Sequence, residues 1–477
     1  MHNRVDVGFQ GQIETVLKQS LADLDIKVKK IFQKLRIQSH LTAAGIRKND
    51  GYTAIELVYA MVNMCFMHIH GVADFVKRNL TVICEARKDA FYRLKKRDCG
   101  WRAFHWRLVG HMGKLLHWSQ HRRHEAHFIL DTTCLPKRGQ KIEEVSWIYD
   151  HNQGKAVLGY EVLTLGVSDP QGFYPLDFGC HFSRRKGKHY RPAQATGSTA
   201  RRVKEAELSK LELSLQMLQR ALKKGVRAAY VLFDRWFTSP KFLQAIRSLG
   251  LHAIGRLKND NVRYGYQGRW LTVAQLYRLK KSDLVWNREL QYSLTTVAVT
   301  CVNGLAGNII FSKGYQEPEI EKRPGAKLSP KSSWAAFFST DTSLTAPEVV
   351  KKFMGRWSIE VFFKEAKTML GLGKDPSQSF QGQICAITLT FLRYNLLAFL
   401  KEHQTAKSTT SELFHQLEQE IAPLTYMEKI VNYFRQFLLA CLNLMHRVGY
   451  LATDFESLSA SFINSINEIP LCQGCET

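Results

Sequence analysis

The sequence has no uninterrupted apolar run of about 18 residues, the length a membrane-spanning helix needs. Its two best stretches, Thr53–Ala73 and Ile384–Leu400, are broken by Glu56 and two histidines and by Arg393. No apolar signal-peptide core stands at the N-terminus. Neither a membrane nor secretion is therefore expected. The ten cysteines are mostly scattered, with no disulfide-like framework, so a reducing cytosol is the simplest setting. Cys472 and Cys475 form one C-x-x-C without a second ligand pair, which reads as a frayed tail rather than a zinc site. Internal repeats and long low-complexity tracts are also missing. Acid is scarce: 42 Asp and Glu stand against 67 Lys and Arg, a net charge of +25. Such an excess fits a polyanionic partner, and nucleic acid suits it better than a membrane surface.

What is present divides the 477 residues into successive parts. Residues 1–125 lack strand alternation and read as a helical DNA-binding domain. Its segment EARKDAFYRLKK (85–96) offers Arg87, Lys88, Arg93, Lys95 and Lys96 to phosphates, although such a helix by itself is also compatible with a plain solvated face. His111, His117, His121, His124 and His127 lack a compact paired-ligand spacing and have Arg122 and Arg123 among them, so a DNA-facing or interdomain helix is expected there, not a metal site.

From His127 the period changes to that of strands. HFILDTTC, AVLGYEVLTLGVSD and GFYPLDFGCHF read as three strands, the last two joined by the turn Asp169-Pro170-Gln171-Gly172. The basic loop 183–192 follows, with Arg184, Arg185, Lys186, Lys188 and Arg191, then one helical stretch over 200–224. AAYVLFD is a buried strand ending at Asp234, and Ser239-Pro240 opens a helix. Three strands, a helix and a strand ending in an acid is the order of an RNase-H-like α/β core. Residues 126–259 are its first part and 333–375 its second. Residues 260–332 read as a β-rich insertion, within which the charged stretch 316–331 is an exposed loop. Residues 376–477 read helical, for dimerisation or target-DNA binding.

The chemistry lies in three acids on separate elements. In the segment FMGRWSIEVFFKEAK (353–367), read as one helix at about 100° per residue, Phe353, Arg356, Glu360, Lys364 and Lys367 share a narrow arc. Ile359, Phe362, Phe363, Ala366 and Leu370 form the adjoining apolar stripe. Asp131 and Asp234 close two strands. Three carboxylates suit hard divalent cations, and two such ions about 3.5–4 Å apart can activate a nucleophile and stabilise a leaving oxygen in phosphodiester chemistry. Arg356 and Lys367 are placed to grip phosphate. Taken singly, Asp131 is also explained as a strand-end cap, Asp234 as a surface ion pair and Glu360 as an i,i+4 partner of Arg356 and Lys364. Their order on these elements favours a site.

The pattern Phe353-x2-Arg356-x3-Glu360-x6-Lys367 resembles the Y-x2-R-x3-E-x6-K signature of bacterial insertion-sequence DDE transposases of the insertion-sequence-four family. LDTT and FDRWFTS resemble that family's two Asp motifs, and the similarity spans roughly residues 125–372. Phe353 departs from the signature tyrosine; it keeps the ring and loses the hydroxyl. The resemblance implies a cut-and-paste transposase in a bacterial, nucleoid-associated, cytoplasmic setting. Asp131, Asp234 and Glu360 would hold two Mg²⁺ or Mn²⁺ ions. The substrate would be double-stranded DNA, at the element's terminal inverted repeats and at the target, joined through hairpin ends within a synaptic homodimer. A flipped base would stack on an aromatic: Trp334 by position, with Trp270 and Trp286 as alternatives. Lys137, Arg138 and the 184–191 cations would track the DNA backbone. The alternatives are a catalytically inactive DNA-binding descendant and an RNase-H-like nuclease that only hydrolyses.

Overall fold

A computed structural model describes residues 27–48, 50–78, 83–118, 125–139, 141–150, 153–182, 196–314, 334–403 and 408–421. The cations 184, 185, 186, 188 and 191, the histidines 121 and 124, the whole 316–331 stretch and the Cys472–Cys475 pair lie outside them.

Up to residue 118 the described chain is helical: α1 (Lys27–Lys34), α2 (Ile37–Ala43), α3 (Ala54–Asn63), α4 (Val72–Lys77), α5 (Lys88–Lys96) and α6 (Trp101–Leu115). Thr53 and Glu56 cap α3 reciprocally, satisfying backbone donors that the first turn leaves open. α5 buries Ala90, Phe91 and Leu94 and leaves Arg87 and Lys88 in solvent.

The strands follow: β1 (His127–Pro136), β2 (Ser146–Asp150), β3 (Lys155–Ser168) and β4 (Phe173–His181), then α7 (Gly197–Ala206), α8 (Lys210–Lys223), β5 (Tyr230–Phe233), α9 (Pro240–Ser248) and β6 (His252–Arg256). β3 runs antiparallel to β1 and β4, whereas β1, β5 and β6 are mutually parallel. All four residues of β5 are buried, as expected of a parallel strand covered on both faces. The stretch 200–224, read as one helix, is two. Ser209 and Glu212 form a second capping box that starts α8 afresh.

The β-rich stretch continues the same sheet. β7 (Arg263–Tyr266), β8 (Arg269–Thr272), β9 (Val285–Asn287), β10 (Tyr292–Thr300) and β11 (Ala306–Gly314) reach the first strands through β12 (Trp334–Ser339), which pairs antiparallel with both β11 and β6. The order is β2-β3-β1-β5-β6-β12-β11-β10-β7-β8 in one twelve-stranded sheet. Within this stretch α10 (Val273–Lys280) is a helix that the short alternating runs around it conceal; Thr272 and Gln275 cap it.

α11 (Ala346–Met354), α12 (Trp357–Thr368) and α13 (Phe380–His403) close the architecture. α13 is long and apolar enough to cross a membrane, yet 78% of its apolar window is buried in the protein, against α3, α5, α6 and β4. A helix apolar all round belongs in such a core. Its one interior charge, Arg393, donates to the carbonyls of Leu370 (2.7 Å), Val62 (3.2 Å) and Met61.

A buried charge network ties the helical part to the sheet. Asp177 on β4 accepts from Arg102 Nε of α6 at 3.1 Å and from Arg220 Nε of α8 at 2.8 Å. Glu205 of α7 accepts from the same two guanidinium groups. Burial opposes ionisation of Asp177, but the surrounding arginines outweigh it and hold the carboxyl at about 2.

Candidate active site

The site forms where β1 and β5 stop pairing. Their parallel register ends at Leu130 opposite Phe233, so Asp131 and Asp234 are the next residue on each strand. Carboxyl ends of adjacent parallel strands are where open α/β sheets place ligands. Asp131 Oδ1 accepts from the Thr132 backbone N–H at 2.7 Å. Asp234 opens a tight turn in which its carbonyl accepts from Phe237 N–H at 3.0 Å.

The third acid comes from α12, which crosses β1. The helix expected over 353–367 is broken. α11 ends at Met354, and Gly355 and Arg356 make a tight turn with Gly355 N–H donating to Lys352 O and Arg356 N–H to Phe353 O, each about 3 Å. Glycine's low helix propensity makes it the natural break point. Pro347 starts α11 and not the Glu360 helix. Phe353 therefore belongs to a different helix from Glu360. Its ring packs on Phe337 at 4.8 Å and lies 5.6 Å from the Arg356 guanidinium.

Arg356 joins the acids. Its Nη1 donates to Asp131 Oδ2 at 3.0 Å, and its Nη2 donates to Glu360 Oε1 one helical turn on. Burial pushes the Asp131 carboxyl up to about 6. Arg356 and the Thr132 N–H oppose that rise, and the charges of Asp234 and Glu360 add to it. Asp131 thus lies in the field of the other two acids. Among the described residues, however, no three acid, histidine or cysteine side chains converge closely enough to hold a metal as they stand. The donor set still suits a divalent cation. It consists of hard carboxylate oxygens, and two of the three acids already share a positive group.

A cleft of about 810 Å³ is lined by Asp234, Arg235, Trp236, Arg256, Lys258 and Trp334, with Asp260 as a second acid. The sequence alone does not single out Trp236, Arg256 or Lys258. Arg256 ends β6, the third parallel strand, just past its last pair with β5, and Lys258 follows it, so the rule that locates Asp131 and Asp234 locates them too. Trp236 is 46% exposed, and Lys210 Nζ lies 4.5 Å from its ring centre.

Several expected DNA contacts sit differently. Trp334 lines the cleft, but its face is taken: it stacks on Tyr277 at 4.3 Å and 12°, with Phe311 edge-on. Trp270 and Trp286 are exposed on β8 and β9, toward the other end of the sheet. Lys137 is corrected from a phosphate contact to a structural one, because its ammonium donates to the carbonyls of Gly373 (2.9 Å) and Asp375 (3.0 Å). Burial pulls its pKa down to about 8. Arg138 and Lys364 are exposed. Lys367 is partly buried near Cys134 and Asp150, and burial lowers its pKa. In the helical part, Arg47, Lys48, Arg87, Arg93 and Arg97 line a second cleft of about 750 Å³, along with Asp50, Glu85 and Asp89. Lys88 lies beside it in sequence and is exposed; Lys95 is buried in an ion pair with Asp375.

A family model described as DDE superfamily endonuclease matches residues 93–274. The match supports a DDE transposase-like protein with transposase or nuclease function and DNA as its substrate. It takes in Asp131 and Asp234 and ends before Glu360. No curated protein matches the chain significantly.

Proposed function

We propose that the protein is a DNA transposase of the insertion-sequence-four type, cutting an element at its terminal inverted repeats and joining the 3′ ends to target DNA. The observation that carries this reading is the Arg356 guanidinium bridging Asp131 and Glu360, with Asp131 and Asp234 each following the last parallel pair of β1 and β5, within a chain of net charge +25. The strand order β4-β3-β1-β5-β6, with β3 antiparallel between β4 and β1, supports an RNase-H-like core. Residues 260–332 then extend that core as an insertion.

In this reading Asp131, Asp234 and Glu360 would hold two Mg²⁺ or Mn²⁺ ions, which supply a deprotonated nucleophile and stabilisation of the leaving oxygen. The protein's own groups position the strand. Arg356, with its planar fork, takes the scissile phosphate, and Arg235, Arg256 and Lys258 carry the backbone past Asp234. Phe353 supports Arg356 from below. Water breaks one P–O bond and frees a 3′-hydroxyl. That hydroxyl attacks the opposite strand, forming one phosphodiester as another breaks, which leaves a hairpin end. For the unstacked base that such a bend requires, Trp236 is the better platform, since Trp334 is already stacked. The cleft at Arg87 would bind the element's ends, and a homodimer would pair them.

The test is cleavage of DNA carrying the flanking repeats, in Mg²⁺ or Mn²⁺, resolved under denaturing conditions. A hairpinned end that disappears in Glu360→Ala is the expected result. Binding without any scission would instead favour an inactive DNA-binding descendant. Scission without strand joining would favour a nuclease.

A further inference from the structure

Arg356 occupies the position that its two acids would need free. The side chain is 13% exposed, and its guanidinium is committed to Asp131 Oδ2 and Glu360 Oε1. The other Asp131 oxygen already accepts from Thr132 N–H. Both Asp131 oxygens are therefore engaged within the protein. Such an arrangement offsets part of the repulsion between carboxylates in a partly buried pocket.

The same arrangement is incomplete on the arginine's side. Nε of Arg356 is buried with no hydrogen-bond partner. A desolvated donor without an acceptor is costly, and a guanidinium meets an anion best through two parallel donors. A phosphate drawn onto the Nε edge would satisfy that donor and compete with the two carboxylates for the rest of the fork. Arg356 stands in the short turn between two helices, just before the first residue of α12, so its side chain can change partners by its own torsions while Glu360 stays on α12.

We propose that Arg356 is a latch between substrate and metal: without DNA it bridges Asp131 and Glu360 and opposes divalent-cation binding, and a DNA phosphate draws it away and releases both carboxylates. This rests on the transposase reading and adds to it a coupling between the two ligands. Coupling of binding is reciprocal, so a divalent cation must tighten DNA binding by the factor by which DNA tightens cation binding. The device would keep the acids from assembling a cutting centre until a strand is in place.

The experiment is Mn²⁺ binding by electron paramagnetic resonance on the full chain, with and without a short duplex taken from DNA flanking the gene. For the unaltered protein the duplex is expected to tighten Mn²⁺ binding about tenfold or more. Arg356→Ala should bind Mn²⁺ about tenfold more tightly than the unaltered protein without DNA, and the duplex should add nothing further. Plain removal of a nearby positive charge gives a different result, tighter binding by the same factor in both states, and that would overturn the latch. No tightening in DNA-free Arg356→Ala would overturn it equally. Lys351→Ala, on the neighbouring α11 and paired with Glu289, is the control for general charge and should keep the duplex effect. Arg356→Gln provides a second variant should the alanine form fail to fold. If the unaltered protein binds the duplex but takes up no Mn²⁺ and cuts nothing, the transposase reading itself fails. If it binds, takes up Mn²⁺ and cuts while Arg356→Ala behaves like it, only the latch fails.

Discussion

Asp131 and Asp234 stand one residue beyond the last paired residues, Leu130 and Phe233, of two adjacent parallel strands. The sheet's register alone places these two acids side by side, 103 residues apart in sequence as their numbers show. Replacing either by alanine, or Glu360 by alanine, is expected to lower DNA cleavage on the order of a thousandfold or more. Binding of the element's ends should survive, because the cations of the helical part are untouched. Gel cleavage and a filter-binding measurement together check this, and a variant that still cuts in Mg²⁺ sinks the assignment for that residue.

Trp236 and Trp334 line one cleft but differ in what their rings touch. Trp236→Ala should reduce hairpin formation about tenfold and abolish quenching of 2-aminopurine placed at the cut end, in line with the loss of one base stack. Trp334→Ala breaks the stack on Tyr277 and should lower stability by about 2 kcal/mol. Fluorescence and thermal melting separate the two. Unchanged 2-aminopurine fluorescence in Trp236→Ala would remove that ring from the path of the base.

Asp177→Asn should destabilise the fold by about 3 kcal/mol, because it leaves Arg102 and Arg220 buried beside a neutral amide. Denaturant unfolding reads this directly. A loss below about 1 kcal/mol, the value of an ordinary surface ion pair, would show the network to be dispensable.

His105 gives a pH dependence of stability. It is fully buried, bonded to Pro175 O at 3.0 Å, and burial lowers its pKa to about 4 from an ordinary 6.5. Below 6.5 the unfolded chain binds a proton that the folded chain refuses. The stability is therefore fully present above 6.5 and lost as pH falls toward 4, on the order of 3 kcal/mol. His127, lowered to about 4 chiefly by burial, acts in the same window. The melting temperature should fall between pH 6.5 and 4.5, and more gently in His105→Gln. Parallel slopes for the two proteins would exclude His105 as a source.

Arg87→Ala with Lys88→Ala should weaken binding to element ends. It should also reduce the slope of log affinity against log salt by about one for each phosphate that is no longer neutralised. Arg87 lies in the cleft with Arg47, Arg93 and Arg97, so the effect should grow when Arg93 is added. An unaltered slope places the interface elsewhere.

Asp131, Asp234 and the Arg356–Glu360 pair stand out in the sequence, because an acid after an apolar strand run and an i,i+4 Arg–Glu pair are local patterns. Trp236 is two residues from Asp234 in the chain and still escapes notice, since nothing local tells an exposed tryptophan from a packed one. Lys137 shows the converse: a lysine just past a strand reads as surface, and only the carbonyls of Gly373 and Asp375, more than two hundred residues away, turn it inward.

By itself the sequence determined the charge, the apolar runs that make β1, β3, β4 and β5 strands, the caps at Thr53, Ser239 and Thr345, and the acids that follow the apolar runs of β1 and β5. These depend on neighbours within a few residues. Tertiary structure alone decided which cations face solvent, which tryptophan of the cleft is exposed, that residues 263–314 join one sheet with the strands bearing the acids, and that Arg356 spans Asp131 and Glu360. Each of these is a contact between distant segments, and its energy depends on burial and pairing that no local window contains.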